Sequence, residues 1–402
     1  MRLGNLVCIT FALSGCATDG SPDAPDRSAG DGVAEDRTAT SSHGALAARL
    51  QADVDTNHRD GVVGVLAQVR TDNVVINARA GEARRGAGVP VAFDSRFRMG
   101  SNTKTFVAVV VLQLVGEGKL GLDDTVERWL PGVVAGNGND GAQITIRQLL
   151  QHTSGIWNYT ADLLGTYTAD DYRRTRFDHV SPDELVAIAM SHPPNFAPGT
   201  SWSYSNTNYV LAGMVIQKVT GRDWTAEVRD RIIQPLQLSA TFDPGDWPGL
   251  PAPHAEGYHQ FADSGPLVDV TLLNHTWAGA AGSLVTTVDD LTRFWRALQS
   301  GRLLAPAQMA DLHTTVPAPE LAEVIPGLRY GLGILSVPTS CGGLYWAHFG
   351  DTFGFSTRNA VSEDGARAVV LSDTTTSDVS DSALQVITDD LKLLDDVMCA
   401  GR

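Results

Sequence analysis

Phe97-Arg98-Met99-Gly100-Ser101-Asn102-Thr103-Lys104-Thr105-Phe106-Val107-Ala108-Val109-Val110-Val111 joins a short polar turn to an unbroken apolar run. The pattern predicts a buried helix over residues 102–117, with Ser101 at its start and Lys104 one turn on. A spacing of three puts the hydroxyl and the amine on one helical face. At a helix start the backbone N–H groups point towards the serine and favour developing negative charge there. Burial beside the apolar run would depress the lysine pKa and make its amine a usable base. A capping serine followed by a surface lysine has the same spacing, but here the run after the turn faces a core. Lysine is scarce in this chain, occurring only at Lys104, Lys119, Lys218 and Lys392, so its placement is informative.

Working outward, a helical pattern covers 45–54. Two β-rich runs, 62–70 and 73–80, have hairpin spacing around Thr71-Asp72. The middle of the chain, about 101–324, reads as mostly helical with long loops, with helices near 146–150, 182–190, 209–219 and 288–298. The end returns to strands at 344–347, 354–361 and 366–371. An amphipathic helix over 382–397 follows, with Leu384, Ile387, Leu391 and Leu394 on one side. Strands at both ends and helices between predict an α+β fold. Its antiparallel sheet is built from about 45–100 and 325–400, is flanked by helices and carries the helical region as an insert.

The chain has 402 residues, of which 43% are hydrophobic and 19% charged. That is enough for a large core and excludes a wholly disordered chain. Lys and Arg number 30 against 46 Asp and Glu, a formal charge of −16. Such a surface repels nucleic acid. Residues 1–15 have the character of an export signal: a short basic start, then an apolar stretch too short to span a bilayer. The stretch ends in Leu13-Ser14-Gly15-Cys16, similar to a bacterial lipobox. This predicts lipidation of Cys16 and an extracytoplasmic, membrane-anchored protein, or a secreted one if Cys16 is only incidental. Residues 17–44 are rich in Asp, Gly, Ser, Pro and Ala and lack large apolar side chains, so they read as a tether. Cys8 leaves with the signal. Cys341 and Cys399 remain in an oxidising compartment, where a disulfide between them is expected.

Two further segments carry polar chemistry. Tyr204-Ser205-Asn206 follows an Ala197-Pro198-Gly199 turn and enters a helix. His348-Phe349-Gly350 follows the strand at 344–347. Taken with Ser101-x-x-Lys104, the order resembles the serine β-lactamases and penicillin-binding proteins, in the branch of class C β-lactamases and serine DD-carboxypeptidases. Leu149-Leu150-Gln151-His152-Thr153-Ser154-Gly155 and Ala281-Gly282-Ser283-Leu284 also look like that family, and the resemblance covers about 45–400.

The resemblance implies a β-lactamase/DD-peptidase-like fold and an acyl-enzyme mechanism without metal or organic cofactor. Ser101 would be the nucleophile, with Lys104 and Tyr204 moving its proton. His348 would bond near Tyr204 and the leaving group. Asn206, Trp277, Phe349, Gly350 and Asp351 would bind substrate, and the backbone N–H groups of Ser101 and Asp351 would hold the oxyanion. Phe349 and Asp351 stand where relatives have hydroxylated residues, and Leu335 where the carboxypeptidases have Arg. These departures weaken recognition of a substrate carboxylate. The nominal expectation is a D-alanyl-D-alanine carboxypeptidase acting on cell-wall peptides. Its alternatives are an esterase or D-aminopeptidase, with Phe349 favouring an apolar ester and Asp351 a cationic group, or a surface sensor that does not turn over. A monomer is expected. His254 to His259 read as a loop flanked by Pro and Gly, without zinc-site spacing, and Asp123-Asp124 and Asp389-Asp390 read as solvated helix-end acids.

Overall fold

The computed structural model describes residues 34–262, 265–377 and 381–400. The export signal, Cys16 and residues 17–33 of the tether lie outside the described residues. Helix α1 (Ala34–Arg59) is followed by the hairpin β1 (Gly64–Arg70) and β2 (Val75–Gly81). The insert carries α2 (Thr103–Gly116), α3 (Ile146–Gln151), α4 (Asn206–Thr220) and α5 (Val288–Gln299). The chain then returns through β3 (Val316–Pro317), β4 (Arg329–Tyr330), β5 (Leu335–Pro338), β6 (Leu344–Ala347) and β7 (Gly350–Thr352). It finishes with β8 (Phe355–Ser362), β9 (Ala368–Asp373) and α6 (Asp381–Cys399). The nine strands form one sheet in the order β2-β1-β9-β8-β6-β5-β4-β3, with β7 paired to β8. Strand β1 joins the C-terminal strands through the register Val65↔Asp373 to Arg70↔Ala368. The α+β fold with a sheet from both chain ends is therefore the one expected.

Both sheet faces are covered. Helix α5 packs on β1, β8 and β9, while α1 and α6 pack together across the opposite face. Leu66 and Val370 enter the core on the α5 side. Their strand neighbours Val65, Ala67, Val369 and Leu371 enter the core under α1 and α6. This explains why β9 is buried along its whole length, while the edge strand β2 alternates between exposed and covered positions. Helix α2 is apolar all round because it lies inside the molecule: Phe106 to Leu112 are buried, and the Phe106 ring stacks on Phe294 of α5.

Three local expectations change. Helix α1 starts at Ala34, ten residues inside the expected tether; 34–43 contains no Gly or Pro to stop it. His259 lies on a strand rather than a loop, because Tyr258–Gln260 pairs with Thr375–Ser377 and Val268–Asp269 in a small separate sheet. Asp390 is not a solvated helix-end acid: it is buried within α6, where Asn57 Nδ2 donates to its Oδ1 at 2.6 Å.

Cys341 and Cys399 form a disulfide across a sequence separation of 58 residues, tying the β5–β6 turn to the end of α6. Cys399→Ser is expected to lower unfolding stability by roughly 2–4 kcal/mol, the range for cross-links closing long loops. Thermal melts of variant and parent, with and without reductant, check this: reductant should destabilise only the parent.

Candidate active site

Ser101 sits in a single 3₁₀ turn, Gly100–Asn102, that runs directly into α2. Lys104 is buried on the first turn of that helix. Its Nζ lies 2.8 Å from Ser101 Oγ, 2.7 Å from Asn206 Oδ1 and 2.7 Å from the carbonyl oxygen of Ala281. Complete burial holds its pKa well below the ordinary lysine value. A neutral amine has two N–H bonds and one lone pair. Asn206 Oδ1 and the Ala281 carbonyl can only accept, so they take the two N–H bonds and the lone pair is left for the Ser101 hydroxyl. The geometry therefore suits an amine that receives the serine proton.

Tyr204 lies just before α4, whose first residue is Asn206. Its hydroxyl hydrogen-bonds Ser101, and burial pushes its ionisation above the ordinary tyrosine value. The phenol therefore stays protonated near neutral pH and is placed to give a proton rather than take one. The Tyr204 ring packs on His152, with centroids 4.3 Å apart, and Lys104 Nζ lies 4.9 Å from its centre. His152 ends α3 in the left-handed conformation, with φ of 61°. Its Nδ1 accepts from Ser205 N at 3.2 Å and Asn208 Nδ2 at 3.1 Å. The sequence placed His152 in a family-like stretch but gave it no role. It fixes the loop that carries Tyr204.

Two glycines bring strand β7 against the nucleophile turn. A Cβ on Gly100 would stand 2.8 Å from Asp351 N, and one on Gly350 would stand 2.0 Å from the Met99 carbonyl oxygen and 2.9 Å from Ser101 N. Without side chains there, the backbone N–H groups of Ser101 and Asp351 border one small space. Asn359 locks this arrangement, donating from Nδ2 to Asn102 Oδ1 at 2.5 Å and accepting from His348 N at 3.1 Å. The resulting cleft is open to solvent. It is lined by Gly100, Ser101, Tyr159, Asn206, His275, Trp277 and Asp351, among others. Asp351 carries the only formal charge in that lining.

A family profile described as Beta-lactamase matches residues 46–389. The chain belongs to the beta-lactamase family. Its fold is similar to that of a D-stereospecific amidohydrolase from Streptomyces sp., at 42% identity and a TM-score of 0.79, covering 88% of this chain and 99% of that one. The D-amino acid amidase of Ochrobactrum anthropi SV3 is similar at 26% identity and a TM-score of 0.75, covering 87% and 98%. Esterase EstB of Burkholderia gladioli is 39% identical over 204 residues, 48% of this chain and 50% of that esterase. The chain spans about half the length of the curated relatives it matches.

Within this family site, the structure brings together Ser101, Lys104, Tyr204, Asn206, Trp277, Gly350 and Asp351. His348 and Phe349 take other positions. His348 is buried behind the cleft, its Nε2 2.9 Å from Tyr330 Oη and its Nδ1 2.7 Å from the Phe349 carbonyl oxygen. That carbonyl can only accept, so Nδ1 carries the proton and Nε2 accepts from Tyr330. Burial pushes the ring down to about 3, so it is neutral at physiological pH. Both ring nitrogens are thus engaged away from Tyr204. Phe349 does not line the cleft: it lies in the link between β6 and β7, and its ring packs against the Arg358 guanidinium, 5.5 Å from its centre. Tyr159 was missed, lacking any motif. It lines the cleft and donates from its hydroxyl to the Trp277 carbonyl oxygen at 2.7 Å. Among the described residues, no group of three or more His, Cys, Asp or Glu could hold a metal ion, and no helix is long and apolar enough to cross a membrane.

Gly350→Ala is expected to cut the rate of p-nitrophenyl acetate hydrolysis by about 100-fold, comparable to losing one oxyanion donor. The added methyl pushes β7 off the nucleophile turn. Steady-state kinetics beside a thermal melt separate this loss from global unfolding.

Proposed function

We propose that the protein is a serine amidohydrolase acting on amides or esters of amino acids or short peptides whose acyl part carries a free amine. The observation that carries this reading is the cleft itself. Its nucleophile faces a neutral lysine, and Asp351 supplies a carboxylate where recognition of a substrate carboxylate would need a cation. The likeness to a D-stereospecific amidohydrolase and a D-amino acid amidase supports the same reading and suggests D-configured substrates. A D-alanyl-D-alanine carboxypeptidase fits less well, because its substrate would bring a carboxylate to a cleft whose lining offers a carboxylate and no cation.

The chemistry follows from the contacts. The substrate carbonyl oxygen sits between the N–H groups of Ser101 and Asp351. Lys104 takes the proton of Ser101 as Oγ bonds to the carbonyl carbon. The oxyanion is held by the two N–H groups, each worth on the order of 3 kcal/mol. Tyr204 gives its proton to the departing nitrogen as the C–N bond breaks, and the Lys104 ammonium restores it. A water then attacks the ester by the same route and frees Ser101. Asn206 uses Oδ1 on Lys104, and its Nδ2, which donates to Thr160 Oγ1 at 3.4 Å, keeps a second N–H for the acyl side. Export and anchoring through Cys16 belong to the same proposal. The Cys341–Cys399 disulfide supports an oxidising compartment.

D-phenylalanine amide and D-alanine p-nitroanilide are the test substrates, with the L-forms and N-acetylated forms as comparisons. Free-amine D-substrates should turn over, N-acetylation should raise KM about tenfold or more, and Ser101→Ala should abolish turnover while keeping the fold. Turnover of carboxylate-ended D-Ala-D-Ala peptides, with none of the amides, would overturn the reading.

The pH profile tests the lysine. Activity requires neutral Lys104, so kcat/KM should rise as pH climbs through its depressed ionisation. The rise should come well below the pH at which an exposed lysine loses its proton. Lys104→Arg, which stays protonated, should lose activity at every pH.

A further inference from the structure

Arg358 stands on β8 with its side chain only 6% exposed, yet its nearest carboxylate is Asp351 at the cleft, whose own side chain is 59% exposed. Arg358 Nη1 lies 2.9 Å from Asp351 Oδ1. On its inner side the closest carboxylate, Asp390, is 3.9 Å from Nε, and Asn57 already donates to Asp390. Phe349 lies alongside the guanidinium. A cation therefore waits directly beneath the cleft, covered by a carboxylate that belongs to the chain itself.

We propose that the Asp351–Arg358 pair is a built-in specificity gate, in which Asp351 occupies the cation that a substrate carboxylate would otherwise use. The inference rests on the amidohydrolase reading and deepens it, because it states why carboxylate-ended substrates are refused. The chain lacks the arginine that the carboxypeptidases place at the position of Leu335, but it has an equivalent charge within reach at Arg358. Asp351 is the closer partner because it is covalently tethered and approaches at high effective concentration, whereas a substrate carboxylate must compete from solution. The carboxylate also repels a second anion in the same small space. One oxygen, Oδ1, is committed to Arg358, and the other remains for a substrate ammonium or for water. The exposed half of the pair thus selects for an amine and the buried half fixes its direction. Replacing Asp351 by a neutral residue frees the Nη1 N–H that now meets its carboxylate for a substrate carboxylate, while Arg358 keeps the Thr357 carbonyl at 3.2 Å and Asp390 at 3.9 Å.

The experiment compares the full-length protein with Asp351→Thr, Asp351→Asn and the double variant Asp351→Thr/Arg358→Met. p-Nitrophenyl acetate, which carries neither ammonium nor carboxylate, reports the machinery alone. Benzylpenicillin acylation, followed by intact mass, and release of D-alanine from a D-Ala-D-Ala peptide report carboxylate recognition. Asp351→Thr should raise the second-order acylation rate about tenfold or more and weaken free-amine amides by a similar factor in KM. The double variant should lose the gain with carboxylates. A variant that hydrolyses p-nitrophenyl acetate but shows no gain with carboxylates overturns the gate, and so does a gain that survives in the double variant. If Asp351→Thr does not fold, Asp351→Asn, which keeps the side-chain shape, is read by the same two criteria. Failure of the wild-type protein on every amide strikes the amidohydrolase reading instead, so the two failures are distinct.

Discussion

The burial of the Lys104 amine against two acceptors and one hydroxyl is the constraint around which the rest is arranged. An ammonium in that position would lack water, and each lost interaction would be costly in so dry a setting. Losing the proton relieves that cost, and in the proposed mechanism it makes the residue the base. Asn206 and the Ala281 carbonyl arrive from distant parts of the chain to orient it. The apolar walls of α2 do more than stabilise a core: by excluding water around Phe106 and its neighbours, they set the protonation state on which the chemistry depends.

Accuracy at the reacting atoms comes from the sheet. Residues of the C-terminal strands must meet a turn that precedes α2, although more than two hundred residues separate them. Glycine at 100 and at 350 lets the two backbones approach closely, and Asn359 ties Asn102 to the backbone of His348. The donors for an oxyanion are thus held by hydrogen-bonded sheet and buried side chains rather than by a free loop. Rigid placement of this kind avoids reorganisation when charge develops.

Much of the site was legible in the chain because its residues occur in short local patterns. Ser101 with Lys104, and Tyr204 with Asn206, are read from spacing on helix starts. The apolar run 106–111 and the strand–turn–strand ending at 371 are read from periodicity. His348 and Phe349 were harder. They lie in the short link between two strands, where no local pattern shows which way a side chain points, and packing sent the His348 ring to Tyr330 and the Phe349 ring to Arg358. Tyr159, Asn359 and Arg358 carry no local signal, since their roles depend on partners far along the chain.

Composition and short-range pattern determined the α+β layout and the buried helix behind Ser101, and the motifs carried the family resemblance, which in turn implied that Asp351 disfavours carboxylates. These properties follow from residues within a few positions of one another, where helix and strand geometry fix what can touch. The tertiary structure decided which amine is buried and held below its ordinary ionisation, which histidine nitrogens are engaged and where Asp390 lies. It also decided that Asp351 is not a bare anion but one half of an ion pair with Arg358. Those properties are set by desolvation and by contacts between distant segments, and neither exists until the sheet has closed around both ends of the chain.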